Sequence, residues 1–173
     1  MKRLILLRHA KTEPWFEGVD DHGRALTERG RADSERVAKA LRDAGWVPDL
    51  AVVSTARRAH ETWTGAAPAF TGCEREMSDD LYLASVRMIG SLVRAHEDAA
   101  ALMLIGHNPG IHDFACDLVQ SGGAHNRFAA EALINKMPTG AAALFESDED
   151  AAFGPYAFKL MDFIRPKDLR PPE

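Results

Sequence analysis

The chain lacks several features that would assign it to a specialised class of protein. Its 173 residues include two cysteines, which are too few for a disulfide framework and show no spacing typical of a zinc site. No apolar run approaches the roughly 18 residues that a membrane span needs, and the N-terminus has no signal-peptide layout. A net charge of -5 argues against broad nucleic-acid binding, which usually shows a basic face. We therefore expect a cytoplasmic protein that binds neither nucleic acid nor membrane.

The remaining composition is that of a globular protein, with 46% apolar and 27% charged residues. The length suits a single domain that spans residues 1–173 and buries a sizeable core. Strand and helix patterns alternate along the chain, which favours an α/β fold. We expect a three-layer sandwich in which helices flank a central, mostly parallel sheet.

Local patterns predict the order of the elements. Apolar runs predict strands at about 2–7, 50–53, 74–77, 101–105, 141–145 and 156–163. Helical spacing and capping residues predict helices at about 28–44, 56–67 and 86–97, and a fourth that opens with Pro109 in its first position. We expect a loop at 121–126, a solvated acidic turn at 147–150, and an irregular surface tail from Arg165 onward.

Polar side chains follow three of the predicted strands. Arg8 and His9 come directly after the apolar run Leu4–Leu7, and His107 follows the strand that ends near Ile105. The segment Ser54–Ala59, which contains Arg57 and Arg58, follows another strand. Because open α/β sheets bind ligands at the carboxyl ends of their strands, we expect these side chains to meet in one crevice.

Such a crevice would suit a phosphoryl group. Guanidinium groups offer a planar fork of donors to phosphate oxygens, and an imidazole can act as a nucleophile. Neutralising the equatorial oxygens is the main demand of phosphoryl transfer. The sequence therefore predicts a phosphate site that contains two histidines and at least two arginines.

The same segments resemble those of a known family. Leu6–Thr12 resembles the Arg-His-Gly signature of the histidine phosphatase superfamily, and Ser54–Thr62 resembles its block Ser-Pro-x-x-Arg-Ala-x-x-Thr. Gly106–Gly110 resembles its second-histidine block. Asp21–Gly30 resembles the Arg-Pro-Leu-Thr-x-x-Gly segment of SixA-type phosphohistidine phosphatases. Four blocks in order, between Arg3 and Gly140, make the resemblance specific.

The resemblance implies a phosphoglycerate mutase-like fold and a role for each matching residue. His9 would be the nucleophile, forming a phosphohistidine intermediate that water then hydrolyses. Arg8, Arg58 and His107 would complete the phosphate pocket, and Arg24 would be a weaker contact. Neither a metal nor a cofactor would be needed, because side chains supply the positive charge.

The chain departs from the family pattern at two positions and leaves one role open. Ala10 replaces the usual glycine, and Thr55 replaces the usual proline. Larger members of the superfamily carry an acidic residue that protonates the leaving oxygen, and Asp80 is the candidate here. A surface or helix-capping role for Asp80 is an equal alternative. Without an acid, the enzyme needs a leaving group that departs easily, such as the imidazole of phosphohistidine.

The resemblance implies a phosphatase that acts on phosphohistidine of a signalling or phosphotransfer protein. The chain has no insertion of the kind that covers a small sugar phosphate in mutases. A small-molecule phosphomonoesterase or mutase remains one alternative, with a small phosphate ester as substrate. A non-catalytic phosphoprotein-binding module is another, although the presence of His9 and His107 counts against it. We expect the other five histidines to be structural or exposed.

Overall fold

A computed structural model describes residues 2–147 and 157–170. Within these residues the strands are β1 (Arg3–Arg8), β2 (Leu50–Ser54), β3 (Glu74–Ser78), β4 (Ala101–Gly106), β5 (Ala142–Ser147) and β6 (Phe158–Ile164). The α-helices are α1 (Glu28–Asp43), α2 (Arg57–Ala66), α3 (Val86–Ala95), α4 (Gly110–Gly122) and α5 (Arg127–Asn135). None of the helices in these residues combines the length and the apolar character that a membrane span requires.

The strands form one sheet in the order β3-β2-β4-β1-β5-β6. The first four strands are parallel to one another, whereas β5 runs antiparallel to β1 and β6 runs antiparallel to β5. Helices connect the parallel strands that follow one another in the chain, as parallel pairing requires: α1 joins β1 to β2, α2 joins β2 to β3, and α3 joins β3 to β4. The predicted α/β class with a mostly parallel sheet is confirmed.

Strand β1 shows why its sequence is a continuous apolar run. Leu4 and Leu6 belong to the core that α3, α4 and α5 cover, whereas Ile5 and Leu7 belong to the core that α1 and α2 cover. Successive side chains of a strand point to opposite faces, so a strand buried on both faces needs apolar residues throughout. The helices on both sides of the sheet give the three layers expected from the sequence.

Local capping sets the ends of α1. The Thr27 hydroxyl accepts a hydrogen bond from the Gly30 amide at 2.9 Å, which satisfies one free donor of the first turn. After the helix, Gly45 adopts a φ of 78°, a left-handed conformation that glycine tolerates. The predicted start and end of this helix are confirmed to within one residue.

Helix α5 was missing from the sequence-based prediction. Asn126 caps it by accepting a hydrogen bond from the Ala129 amide at 3.1 Å. Its buried face consists of Ala129, Ala130 and Leu133. Because the helix has nine residues and two of its three buried side chains are alanine, its periodic apolar signal is weak.

Two boundaries near the ends of α4 also differ from the prediction. Pro109 occupies the position before the first helical residue, Gly110, rather than the first helical position. At the other end, Ser121 and Gly122 continue the helix, so the expected loop is shorter. Most of the predicted acidic turn at 147–150 and the start of the last strand at Tyr156 lie outside the described residues.

The expectation of an irregular surface tail is wrong for its first half. Pro166–Leu169 forms a 3₁₀ helix in which Pro166 is buried. The Arg170 guanidinium then donates to the buried carboxylate of Asp33 in α1 at 2.6 Å. A charge-assisted contact to a buried partner holds this segment against α1. No local sequence pattern predicts this contact, because the two residues lie 137 positions apart.

Candidate active site

The carboxyl ends of three adjacent strands bring the predicted residues together. His9 follows β1, His107 follows β4, and Ser54 ends β2. The His9 amide donates to the carbonyl of Gly106 at 3.0 Å, which ties the two histidine segments to each other. The His9 and His107 rings lie 5.1 Å apart, measured between their centroids. The sheet topology therefore produces the crevice that the sequence predicts.

His9 is buried and holds one fixed tautomer. Its Nδ1 lies 2.8 Å from the carbonyl oxygen of Ala10, which can only accept, so Nδ1 carries the proton. Desolvation, with smaller contributions from the charges of His107 and the two arginines Arg58 and Arg8, lowers the pKa of His9 to about 3. The ring is neutral at neutral pH, and its Nε2 carries the free lone pair.

His107 is also buried, and its Nε2 lies 2.7 Å from the hydroxyl oxygen of Ser54. Burial and then the charge of Arg58 lower the pKa of His107 to about 4, so this ring is neutral as well. Its Nδ1 atom is buried and has no hydrogen-bond partner among the described residues. A buried polar atom without a partner is costly unless a ligand or water satisfies it.

The two arginines are anchored by protein carbonyl groups. Arg8 donates to the carbonyl of Met137 at 2.9 Å, and Arg58, which is 3% exposed, donates to the carbonyl of Asp21 at 2.6 Å. Burial and the charge of Arg58 lower the pKa of Arg8 from its ordinary value. Both Nε atoms are buried and have no partner in the described part of the chain. Two clustered cations with free donors favour an anion between them.

Asp21 holds part of this cluster in place, and sequence reasoning gave it no role. Its Oδ2 accepts from Arg58 at 3.0 Å and from the Tyr82 hydroxyl at 2.9 Å. Its Oδ1 forms an ion pair with Arg24 at 3.1 Å. Partial burial raises the pKa of Asp21, but the hydrogen bond from Tyr82 and the charge of Arg58 outweigh it, so the net pKa is lowered. Asp21 is therefore ionised at neutral pH.

The ring of Tyr82 contacts two histidine rings, those of His107 and His22. Its ring meets that of His107 edge-on at 5.6 Å and that of His22 edge-on at 4.9 Å. His22 in turn contacts the Thr55 hydroxyl at 3.1 Å, and Thr55 donates to Asp79 at 2.6 Å. The threonine that replaces the family's proline thus supplies a hydroxyl that links these groups. Only the position of Asp21 within a matching block could have signalled this part of the site.

The two weaker candidates from the sequence occupy different positions. Arg24 is connected to the cluster through its ion pair with Asp21. Asp80 is exposed in the 3₁₀ turn Asp79–Leu81. Within the described residues, Asp80 forms no hydrogen bond or ion pair with the two histidines and two arginines of the crevice. The structure therefore brings together Arg8, His9, Arg58 and His107 directly, and Arg24 indirectly.

The chain is similar to known proteins both in sequence and in fold. The model of the histidine phosphatase superfamily (branch 1) matches residues 4–82. The solved structure of the proposed phosphohistidine phosphatase SixA of Agrobacterium tumefaciens is 30% identical, with a TM-score of 0.79 over 95% of this chain and 97% of that chain. The chain belongs to the histidine phosphatase superfamily. Within this superfamily, the chain is a phosphatase of the SixA type.

Two curated relatives of this superfamily member have no assigned function. An uncharacterised protein of Mycobacterium tuberculosis is 29% identical over 93% of this chain and 100% of its own length. An uncharacterised chloroplastic protein of Arabidopsis thaliana is 45% identical over 62 residues, which make up 35% of this chain. That match spans only 28% of the Arabidopsis protein. These two relatives therefore indicate no substrate for this chain.

Proposed function

We propose that the protein hydrolyses phosphohistidine on a signalling or phosphotransfer protein, through a phospho-His9 intermediate and without a metal. One observation carries the proposal. Two buried donors, Arg8 Nε and Arg58 Nε, have no partner among the described residues, and neither has the buried Nδ1 atom of His107. Phosphoryl oxygens would accept from the two guanidinium groups and from a proton on Nδ1, and the cations would neutralise the charge that phosphoryl transfer develops. Arg24, which forms an ion pair with Asp21, would add further positive charge to the site.

The first step would transfer the phosphoryl group to His9. The Nε2 lone pair attacks phosphorus while the phosphorus–nitrogen bond of the substrate breaks. That electron pair returns to the leaving ring, whose other nitrogen already carries a proton, so the ring departs as neutral imidazole. The His9 ring becomes positively charged, and the Ala10 carbonyl stabilises it by accepting from Nδ1–H at 2.8 Å.

The second step would regenerate the enzyme. A water oxygen bonds to phosphorus as the bond between phosphorus and His9 Nε2 breaks. The ring recovers its electron pair and its neutral form, and inorganic phosphate leaves with the two protons of the water. Arg8 and Arg58 keep the same contacts to phosphoryl oxygens in both steps, so one pocket would serve transfer and hydrolysis.

The ionised state of the Asp21 carboxylate supports a phosphoramidate substrate rather than a phosphate ester. An ester leaves as an alkoxide and needs a proton from an acid. Asp21 has a lowered pKa and is ionised, so it has no proton to give at neutral pH. A phosphohistidine needs no such proton. The proposed activity of the Agrobacterium relative, a phosphohistidine phosphatase, supports the same substrate class.

A phosphomonoesterase is the second candidate, and one observation favours it. Asp80 stands two residues before Tyr82, whose ring contacts His107. A movement of the turn Asp79–Leu81 toward the crevice would let Asp80 serve as the acid. The two candidates predict different effects of Asp80→Asn, since only ester hydrolysis would then depend on this carboxyl group.

Phosphate release in EDTA tests the proposal. The substrates are a chemically phosphorylated phosphohistidine protein and β-glycerophosphate, an alkyl ester whose leaving alcohol needs a proton. The variants are His9→Asn and, as the matched control, His125→Asn at an exposed histidine. We expect rapid release from the phosphohistidine protein that His9→Asn abolishes and His125→Asn retains. Faster turnover of the ester, lost in Asp80→Asn, would favour the second candidate. Loss of all release in EDTA, or release that persists in His9→Asn, would contradict the proposal.

A further inference from the structure

A cavity of about 230 Å³ opens near the crevice and has no part in the steps above. Its lining comes from α1, from the segments that follow β1 and β6, and from the segment that precedes β5. Its polar lining residues are Lys11, Arg29, Asp33, Thr139, Lys167 and Arg170.

The cavity lies at the same edge of the sheet as His9. Strand β5 is antiparallel to β1, so the residues that precede β5 lie at the carboxyl end of β1. Strand β6 reverses direction again, so Pro166 also lies at that edge. The segment before β5 is bonded to the crevice itself, because Arg8 donates to the Met137 carbonyl and the Gly140 amide donates to the His9 carbonyl at 2.9 Å. The cavity and the crevice therefore share this segment as a wall.

The charges of the cavity are unbalanced. Four of its lining residues are basic and one, Asp33, is acidic, in a chain whose net charge is -5. The buried Asp33 carboxylate already accepts from Arg170 at 2.6 Å and from Arg36 at 2.7 Å, and Arg29 lies 3.8 Å from it. One carboxylate cannot neutralise three guanidinium groups.

Two lysines, Lys11 and Lys167, add to the excess of positive charge in the cavity. Among the described residues, neither Lys11 nor Lys167 forms an ion pair, although both line the cavity. Clustered cations around a concave surface create a positive potential that attracts anionic oxygen atoms. The Thr139 hydroxyl, in the same lining, can donate a further hydrogen bond.

We propose that this cavity is a second anion subsite, which binds a carboxylate or phosphate group of the substrate whose phosphoryl group reacts at His9. The proposal rests on the proposed function for its link to turnover, whereas the binding of an anion does not depend on it. A protein substrate would supply the anion as an aspartate or glutamate side chain near its phosphohistidine. A small substrate would supply it as a second phosphate. The cavity would then select substrates that carry a negative group beside the reacting phosphoryl group.

The test compares two double variants that each remove one arginine and one lysine charge. Arg29→Gln/Lys167→Gln removes two cations of the cavity, whereas Lys39→Gln/Arg127→Gln removes two exposed cations that do not line it. The substrates are two phosphohistidine peptides that differ only in flanking glutamates or glutamines. The dissociation constant of inorganic pyrophosphate, measured by calorimetry, gives a second readout that needs no turnover.

The two readouts separate the sources of the anion. We expect wild-type protein to have a higher kcat/KM for the glutamate peptide than for the glutamine peptide. In the cavity variant, Arg29→Gln/Lys167→Gln, this ratio should be roughly tenfold smaller, as for the loss of one charged hydrogen bond. Roughly tenfold weaker pyrophosphate binding in the cavity variant alone would indicate a phosphate source. The proposal would be overturned if the cavity variant kept both the peptide preference and the pyrophosphate affinity of wild-type protein. It would also be overturned if both double variants lost preference and affinity equally. If wild-type protein hydrolyses neither peptide, the proposed function fails, and pyrophosphate binding alone decides the subsite.

Discussion

The hydroxyl oxygen of Ser54 lies 2.7 Å from Nε2 of His107, and both side chains are buried. The same oxygen accepts a hydrogen bond from the Ala56 amide at 3.3 Å, which leaves its proton free to point at the imidazole. A hydroxyl that donates to Nε2 places the ring proton on Nδ1, the atom without a partner. We infer that Ser54 donates to Nε2 and that Nδ1 carries the ring proton, because the partner of one ring nitrogen sets the role of the other.

Replacing Ser54 tests this relationship. In Ser54→Ala the His107 tautomer is no longer set, so we expect kcat/KM to fall roughly tenfold, the usual effect of losing one buried hydrogen bond. The nitrogen chemical shifts of His107, measured by NMR, should show the proton redistributed between Nδ1 and Nε2. Ser91→Ala, at an exposed serine of α3, is the matched control. Unaltered shifts in Ser54→Ala would show that the serine does not set the tautomer.

Asp21 and Tyr82 should act as one unit on Arg58. Both Tyr82 and Arg58 bind Oδ2 of Asp21, so Asp21→Asn and Tyr82→Phe remove parts of the same network. We expect each single change to lower kcat/KM and the double change to cost less than the sum, with a coupling of about 1 kcal/mol. A double-mutant cycle on phosphohistidine hydrolysis measures this coupling. Strict additivity would mean that the two contacts position Arg58 independently.

The buried histidines make stability depend on pH. Burial lowers the pKa of His9 to about 3 and that of His107 to about 4, against 6.5 for an ordinary histidine. Above pH 6.5 both are neutral in the folded and unfolded chain, so they have no effect on stability. As the pH falls below 6.5 the unfolded chain takes up protons that the folded chain does not, and stability decreases until the folded pKa is reached.

We therefore expect the free energy of unfolding to fall between pH 6.5 and pH 5, by roughly 2 kcal/mol for each histidine. Urea unfolding at several pH values measures this slope. His9→Asn should remove the part that His9 contributes, whereas His125→Asn, at an exposed position, should leave the slope intact. A slope that is the same in His9→Asn as in wild-type protein would contradict the lowered pKa.

A glycine at the start of α4 supports the segment that carries His107. A Cβ atom at Gly110 would overlap the backbone carbonyl of Ala84, which cannot move without its loop. We expect Gly110→Ala to destabilise the protein by about 1–3 kcal/mol. Gly90→Ala is the control, since its nearest neighbour, a ring atom of Phe114, would be 3.6 Å away. Urea denaturation should separate the two, and equal effects would show that Gly110 is not constrained.

The strands and the core of the site could be predicted from the sequence because their signals are local. Leu4–Leu7 is a continuous apolar run, and Arg8 and His9 follow it directly, so the strand end marks the crevice. The carboxyl ends of neighbouring parallel strands then meet at one edge of the sheet, where α/β folds generally bind their ligands. The superfamily resemblance distinguished Arg58 from its neighbour Arg57, which periodicity alone could not do.

Other features could not be predicted, because they depend on distant pairs or weak patterns. Asp21 meets Tyr82 across 61 positions, and Arg170 meets Asp33 across 137, and no local pattern encodes either contact. Helix α5 escaped prediction because its apolar face is short and rich in alanine.

Direct detection of a phosphoryl group on His9 tests the proposed phosphohistidine intermediate. The protein is mixed with a phosphohistidine protein, quenched with alkali within milliseconds, digested, and analysed by mass spectrometry. We expect a transient phosphoryl group on the peptide that contains His9, formed before phosphate is released and missing in His9→Asn. Phosphate release with no phosphoryl group on His9 at any time, or with the phosphoryl group on another residue, would contradict it.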